Sequence, residues 1–397
     1  MRHQLFEWNE CSSITSPASA STDKISISNQ LEIFFEILHA EKTPRINRYE
    51  VTSHEGVPGG AFQSMSGGST GHPKIVERSC ASWVLSFDAN NDFYNLRGTR
   101  FAIFGSITHS LALYAALEGL HLGCEVHHLQ GLMPVTQLQY LESKNIQVLY
   151  ITPTQLRHML SAKYNNYHLE SLQYVFIGGS SIENQTLKKL YEIAPNAELK
   201  QFYGSSETSF ITVSDRCAPI GSVGKAYPNV EIVLGEWPNQ PVSIGGTGRV
   251  WVRSPYLFSR YVDEDNFNSN KVAGWVSPGE LGKLDVNQNL FILGRIDRMF
   301  KIKDQSILPE EIENFLLTKE DIIVVALVRK SDVLRGNRAI AYIGTSKSVN
   351  IEELREACIA LSPVLDGSFR IVELSTDKFP FLPSGKPDIY QLEQWDT

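Results

Sequence analysis

Cysteine is scarce in this chain: five residues in 397, at positions 11, 80, 124, 217 and 358. No two of them form a Cys-x-x-Cys pair, and none clusters with histidine. Neither a disulfide framework nor a zinc site is expected. Long apolar runs are also missing. None reaches the length of a membrane-crossing helix, so no membrane span is expected. The opening stretch Met1-Arg2-His3-Gln4-Leu5-Phe6 lacks the apolar core of a secretory signal, and a reducing cytoplasm is the expected compartment. Basic charge is not in excess, with 36 Lys and Arg against 44 Asp and Glu and a net charge of -8. A general nucleic-acid footprint is therefore not expected. No G-x-G-x-x-G follows the first strand, which removes a dinucleotide dehydrogenase. Internal repeats are absent. The one low-complexity segment, Cys11 to Thr22, is rich in Ser, Thr and Ala and is expected to be poorly ordered.

What is present is the composition of a globular enzyme-sized protein. Hydrophobic residues make up 42% and charged residues 20% of the chain. The length allows two or three domains, each with ample core. The most informative stretch is Ser66-Gly67-Gly68-Ser69-Thr70-Gly71-His72-Pro73-Lys74, just upstream of a helix-like segment, Ser82 to Asn95. Glycines let the backbone take positive φ and approach a ligand closely. Consecutive N–H groups can then converge on an anion, with hydroxyls and the lysine adding donors. A polyphosphate suits such a loop. It is not a Walker A loop, because Pro73 precedes Lys74 and Ile75 follows it. A solvated Gly/Ser turn is the competing reading.

The middle of the chain alternates buried strands with helical patterns. Strands are expected at Phe101 to Phe104, Val148 to Ile151 and Tyr174 to Ile177, and helices at Ser110 to Leu122, Pro153 to Ser161 and Asn184 to Ala194. This alternation predicts α/β layers with parallel strands. From about Glu231 short strands take over (Glu231 to Leu234, Gly248 to Val252, Leu290 to Leu293), as in an antiparallel or barrel-like subdomain. A compact α+β tail follows. Its strands are expected near 322–328, 339–343 and 370–374, and its helices at 309–317 and 351–361. A domain boundary is placed at Arg295 to Arg298.

Four further stretches carry chemistry. Gln201-Phe202-Tyr203-Gly204-Ser205-Ser206-Glu207-Thr208 puts an aromatic at a strand end, where it can stack on a base. It also puts a carboxylate nearby, able to hold Mg²⁺. Gly178-Gly179-Ser180 follows a strand directly, where ligands of open α/β sheets sit; a plain turn fits equally well. Glu280, in the Gly-flanked turn of Trp275 to Lys283, can accept the two hydroxyls of a ribose. Arg295, in Gly294-Arg295-Ile296-Asp297, has a fork of donors for a phosphate. Lys386, on the loop Phe379-Pro380-Phe381-Leu382-Pro383-Ser384-Gly385-Lys386, is either a deliverable cation for developing phosphate charge or an ordinary surface lysine.

Taken in order, these five sites resemble the adenylate-forming family of acyl- and aryl-CoA synthetases, peptide-synthetase adenylation domains and luciferase. The run Ser66–Lys74 resembles its phosphate signature. Tyr203, Gly204 and Glu207 match its Tyr-Gly-x-Thr-Glu motif, with Ser206 in place of the threonine. Gly221-Ser222-Val223-Gly224-Lys225 resembles the next motif. Gly294 to Asp297 matches its hinge, and Pro383 to Lys386 its C-terminal lysine motif. The resemblance runs roughly from Gln63 to Tyr390. It implies an α/β fold, with a large N-terminal domain of layered α/β subdomains over 1–295 and a small barrel-like β subdomain at 225–295. A hinge at 296–298 and a small mobile α+β domain at 299–397 would follow.

The activity implied is two-step. A carboxylate attacks the α-phosphate of MgATP, giving an acyl-adenylate and pyrophosphate, and a thiol then takes the acyl group. By resemblance, Lys386 stabilises charge on the α-phosphate and Glu207 holds Mg²⁺. Ser66, Gly67, Gly68, Ser69, Thr70, Gly71 and Lys74 close over the outer phosphates. Tyr203 stacks on adenine beside Gly178 and Gly179, within the Tyr203-Gly204-Ser206 turn. Glu280 and Arg295 take the ribose, and Asp297 is the hinge. His109, in Phe104 to Ser110, aligns with the substrate-wall motif, where a structural histidine is the competing reading. No aspartate stands in that stretch, which favours an aryl or fatty acid over an amino acid.

Three departures from the family pattern stand out. Only about sixty-five residues precede the phosphate loop, so the N-terminal region reads as compressed. Glu280 replaces an aspartate, moving the carboxylate by about 1.5 Å, one C–C bond. Asp304 occupies a loop position where relatives carry glycine and where the thiol arm would pass. CoA is the expected acceptor. A carrier-protein phosphopantetheine is the alternative, and a non-catalytic carboxylate or nucleotide binder is a further one.

Overall fold

A computed structural model describes residues 6–17, 26–47, 50–66, 74–161, 167–178, 182, 184–214, 217–219, 221–262, 270–319, 321–332, 336–375, 378–381 and 387–395. The chain divides into two compact units. One comprises Met1–Val233, Trp251–Pro278 and Asp285–Phe291; the other comprises Leu234–Val250, Gly279–Leu284 and Ile292–Thr397.

The first unit is built on an eight-stranded sheet. Its spatial order is Ser13–Thr15, Glu125–His128, Arg100–Ile103, Val148–Ile151, Tyr174–Gly178, Glu198–Ser205, Ser209–Ser214 and Lys225–Ala226. The first six strands run parallel, and the last two pair antiparallel. Val148–Ile151 is buried at all four positions, as a central parallel strand covered on both faces must be. Helices connect the parallel strands. Ser110–His121 follows Arg100–Ile103, and Pro153–Met159 follows Val148–Ile151. The second of these begins with Pro153 and a reciprocal Thr152–Gln155 capping box, which satisfies its first N–H groups. Leu138, Leu141, Leu149, Leu156, Val175 and Leu190 meet in the core on one side of the sheet.

The segment expected to be poorly ordered is partly a strand. Ser13–Thr15 pairs parallel with Glu125–His128 at the sheet edge. Ile14 is buried, the Ser13 N–H donates to the Cys124 carbonyl, and Thr15 Oγ1 lies 3.0 Å from His127 Nδ1. A single buried isoleucine among serines and threonines suffices for an edge strand. Residues 18–22 lie outside the described residues.

A second sheet in this unit has the order Arg260–Tyr261, Ile75–Ser79, Ala61–Met65, Thr43–Ile46, Val51–His54. Ala61–Met65 and Ile75–Ser79 are an antiparallel pair that closes at Met65 opposite Ile75. The helix Cys80–Tyr94 starts only after that strand, capped by Ser79.

In the second unit, the Thr247–Arg249 part of a strand pairs antiparallel with Leu281–Lys283. Beyond Ile292, a hairpin of Phe300–Ile302 and Gln305–Ile307 precedes a three-stranded sheet. There, Ile322–Asp332 is antiparallel to Gly336–Thr345, which is parallel to Phe369–Leu374. Helices Pro309–Leu317 and Ile351–Leu361 bury Ile312, Leu316, Leu354 and Cys358 against it. Among the described residues no helix is long and apolar enough to cross a membrane.

Candidate active site

The glycine-rich run joins two antiparallel strands, so it is a hairpin connection and does not sit at a helix N-terminus. Its base is closed twice: the Ser66 N–H donates to the Lys74 carbonyl (2.8 Å), and the Lys74 N–H donates to Ser66 Oγ (2.9 Å). Gly67, Gly68, Ser69, Thr70 and Gly71 lie outside the described residues, as do Gly179 and Lys386.

Strand Ile75–Ser79, which follows the loop in sequence, carries a fully buried arginine, Arg78. Arg78 donates from Nη2 to the Ser206 carbonyl (2.6 Å) and from Nη1 to the Tyr256 carbonyl, with its guanidinium 5.5 Å from the Trp83 ring. Burial lowers its pKa to about 10, against the opposing pull of the Glu207 charge. Arg78 thus fixes the turn in which Glu207 lies. The turn is tightened by its own bonds: the Ser205 N–H donates to Thr208 Oγ1 (3.0 Å), and the Glu207 N–H to Ser205 Oγ (3.2 Å). The Phe258 N–H donates to the Glu207 carbonyl (2.8 Å). The Glu207 carboxylate accepts from the Tyr261 hydroxyl at 2.9 Å, and Lys74 Nζ sits 4.7 Å from the centroid of that same ring. Lys74, Tyr261 and Glu207 are therefore in one contact chain, with the Arg78 charge behind it.

This donor set fits magnesium of one kind. Among the described residues no group of three His, Cys, Asp or Glu could hold a metal ion. Glu207 is a single hard oxygen ligand. Mg²⁺ typically uses one or two carboxylates, several waters and the phosphates of its substrate, so it matches Glu207 as part of a nucleotide complex and not as a free-standing site.

The proposed adenine side assembles by strand pairing. Phe202 stands beside Gly178 in parallel register, Tyr203 faces Thr212, and the register slips between Tyr203 and Gly204. A Cβ on Gly178 would come within 2.3 Å of the Phe202 ring. The close approach that Gly178 permits is therefore first to the chain's own aromatic. Gly204 is equally constrained, since a Cβ there would meet the Ser209 carbonyl oxygen at 1.9 Å. Ser206 reaches the first helical residue after His109, with Ser110 Oγ 2.7 Å from Ser206 Oγ. His109 occupies the N-cap of that helix without a capping bond, and its backbone bridges Met65 at the loop base. Burial holds its imidazole below the usual pKa and favours the neutral ring. The motif Gly221 to Lys225 is pinned at its centre. Ser222 Oγ donates to the Leu290 carbonyl (3.1 Å), and the Gly224 N–H donates to Ser222 Oγ (2.9 Å).

In the second unit, strand pairing brings Glu280 and Arg295 into neighbouring strands. Arg295 makes a two-point ion pair with Asp297, Nε to Oδ1 at 2.9 Å and Nη2 to Oδ2 at 2.7 Å. That pairing, opposed by burial, raises the Arg295 pKa. Burial works against the Asp297 carboxylate, but Arg295 still holds it below its usual range. The loop of Lys386 is closed at its base by a bridge between Phe381 and Pro387 and by the Asp388 N–H donating to the Pro380 carbonyl (2.9 Å).

Arg78 and Tyr261 were not singled out by the sequence. The one signal for Arg78 is a charged residue inside a short, otherwise buried strand. Tyr261 sits in the aromatic-rich run Tyr256 to Tyr261, which reads simply as core.

The AMP-binding enzyme profile matches residues 51–262, which contain the loop base, Arg78, Glu207 and Tyr261. The chain belongs to the AMP-binding enzyme family. An uncharacterized acyl-CoA ligase of Bacillus subtilis, YhfT, is 29% identical over 340 residues, 84% of this chain and 68% of that protein. The acyl-CoA ligase easD of Emericella nidulans is 30% identical over 320 residues, 76% of this chain. The chain spans 56% of the length of easD. Among solved structures, the amide bond synthetase McbA of Marinactinospora thermotolerans superposes with a TM-score of 0.75 at 23% identity, covering 88% of this chain and 72% of that one. The o-succinylbenzoate CoA synthetase of Bacillus subtilis, solved with ATP and a magnesium ion, gives 0.71 at 23% identity, covering 84% and 70%. The fold is that of adenylate-forming enzymes.

Proposed function

We propose that this AMP-binding enzyme is an acid–thiol ligase. It would activate an aryl or fatty acid with MgATP as the acyl-adenylate, release pyrophosphate, and pass the acyl group to the thiol of CoA. The observation that carries this reading is the contact chain Lys74–Tyr261–Glu207 at the mouth of the glycine-rich hairpin. It brings a cation at the foot of one strand and a hydroxyl on the neighbouring strand to a carboxylate on a turn anchored by a buried arginine. A polyphosphate with its divalent ion matches these groups. The acyl-CoA ligase relatives support the thiol acceptor.

Each residue has a defined task in this reading. Ser66 and Lys74 hold the loop that carries Gly67, Gly68, Ser69, Thr70 and Gly71 to the outer phosphates. Tyr203, in its turn with Gly204 and Ser206, stacks on adenine beside Gly178 and Gly179. Glu280 and Arg295 bind the ribose. Glu207 would ligate Mg²⁺, which supplies charge neutralisation between the phosphates. His109, neutral and buried, shapes the acid's wall. Lys386, on the 299–397 domain that pivots at Asp297 within the 296–298 hinge, lowers the barrier where charge grows on the α-phosphate.

The test is pyrophosphate release from MgATP across aryl, short-chain and long-chain acids, with hydroxylamine to intercept the adenylate. Acid-dependent release that disappears in Lys386→Ala is expected. Release that is silent across the panel, or unaffected in Lys386→Ala, would overturn the reading. The acceptor step turns on Asp304, whose φ of 64° puts a carboxylate at the tip of the Phe300–Ile307 hairpin. If that charge obstructs the thiol arm, which CoA and a carrier protein's phosphopantetheine share, the adenylate forms and is trapped as hydroxamate while thioester with either acceptor is weak; a carrier acceptor is marked instead by salt-sensitive binding to an acidic carrier.

A further inference from the structure

Glu207 is held from two directions by groups on two paired strands, Ile75–Ser79, which follows the phosphate loop, and Arg260–Tyr261 beside it. Arg78, on Ile75–Ser79, grips its backbone through the Ser206 carbonyl (2.6 Å), and Tyr261 grips its carboxylate (2.9 Å). Tyr261 is itself firmly mounted. It pairs with Val76, the next residue's N–H donates to the Ile75 carbonyl (2.9 Å), and its ring packs 4.9 Å from Phe258. Its neighbour Arg260 is locked to buried Glu77 at 2.7 Å. The ring lies one strand from the loop base and carries Lys74 over its face at 4.7 Å. One side chain therefore touches both the cation that ends the phosphate loop and the carboxylate at the metal position.

We propose that Tyr261 is the positioning residue that couples the phosphate loop to the metal carboxylate. Its hydroxyl presents Glu207 to the divalent ion, and its ring sets the position of Lys74. A free glutamate side chain loses up to about 1.5–2 kcal/mol of rotamer freedom when it is fixed. A hydroxyl that engages one carboxylate oxygen in advance removes part of that cost and presents the other oxygen as a monodentate ligand. Cation–π contact orients an ammonium without neutralising it, so the ring can set where Lys74 stands at the end of the loop. The inference rests on the reading that Glu207 ligates the Mg²⁺ of MgATP.

The experiment titrates Mg²⁺ into the full-length protein with a fluorescent ATP analogue and no acid, reading nucleotide binding without turnover. Wild type should show Mg²⁺-dependent binding. Tyr261→Phe keeps the ring and loses the hydroxyl. It should raise the Mg²⁺ midpoint by about tenfold, the scale of one hydrogen bond to a charged group, and change affinity at saturating Mg²⁺ little. Tyr261→Leu should weaken nucleotide binding even at saturating Mg²⁺. Tyr261→Phe in a Glu207→Gln background should add nothing further to the midpoint. A purely structural role for Tyr261 would lower the melting temperature and leave the midpoint unmoved. A wild-type midpoint in Tyr261→Phe, or an additive double variant, overturns the coupling while the metal reading stands. Wild-type binding indifferent to Mg²⁺ overturns both. If Tyr261→Phe does not fold, Lys74→Met and Tyr261→Leu are compared at saturating Mg²⁺: equal losses support the shared contact, and an intact Tyr261→Leu overturns it.

Discussion

Glu118 is the charged residue that the fold hides most completely without a place in the proposed chemistry. It lies fully buried on the helix Ser110–His121, which is otherwise lined by Ala and Leu. It accepts from Asn90 Nδ2 at 2.7 Å, from Tyr150 and, more weakly, from Tyr114 at 3.4 Å. Tyr227 extends the cluster by donating to Asn90 Oδ1 at 2.6 Å. Burial drives the Glu118 pKa up to about 7 from 4.5, and the three donors pull the other way. The folded chain therefore holds this proton more tightly than the unfolded one, and the contribution to stability is complete below pH 4.5 and lost as pH rises through about 7. At about 1.4 kcal/mol per pKa unit, the loss is on the order of 3 kcal/mol. Glu118→Gln should flatten urea-denaturation stability between pH 5 and 8; an unchanged slope would show that Glu118 titrates normally. Arg78 is the opposite case, a buried cation kept charged by carbonyl dipoles and the nearby Glu207. Its guanidinium fork reaches Ser206 and Tyr256 together, which a lysine ammonium on a single stem could not do.

Among the elements, the two-residue turn Lys303-Asp304 has the most to say about function. Both residues have positive φ, 49° and 64°, between Phe300–Ile302 and Gln305–Ile307. That is the two-residue hairpin geometry that favours Asn or Asp followed by Gly, and a non-glycine residue in this region costs roughly 1–2 kcal/mol. Asp304→Gly should leave stability within about 1 kcal/mol or improve it. If the Asp304 carboxylate obstructs the acceptor, the ratio of CoA thioester to trapped hydroxamate should rise severalfold in this variant. No change in the ratio would clear Asp304 of that role. Element boundaries were legible wherever apolar runs met strong punctuation: Val148–Ile151, Pro309–Leu317 and Ile351–Leu361 match expectation to the residue. The early strands were not. Thr43–Ile46, Val51–His54 and Ala61–Met65 are short and mix polar with apolar positions. Their hydrophobic pattern is set by partners distant in sequence, which a local window does not contain. Strand Ile75–Ser79, which lies between the glycine-rich run and the helix Cys80–Tyr94, was not legible either, for the same reason.

At the scale of the whole molecule, the ordered motifs identified the family because each carries its chemistry locally, in glycines, a carboxylate or a lysine. Arg78 and Tyr261 escaped because their roles exist only after the chain has folded back on itself. The two-residue strand Arg260–Tyr261 docks beside Ile75–Ser79, and Arg260 meets Glu77 across 183 residues of sequence. This long-range pairing has a kinetic consequence. Contacts of such separation close late, because loop-closure entropy precedes any reward. A two-residue edge strand also contributes little protection of its own. The parallel sheet should therefore form first and the Glu207 clamp last, so a refolding chain passes through a compact state that has the sheet but no fixed Glu207 carboxylate. Pulsed hydrogen exchange during refolding should show the amide of Val262, bonded to the Ile75 carbonyl, becoming protected after the amides of Val148–Ile151. Simultaneous protection would mean that the clamp belongs to the folding nucleus and that binding competence arrives with the fold.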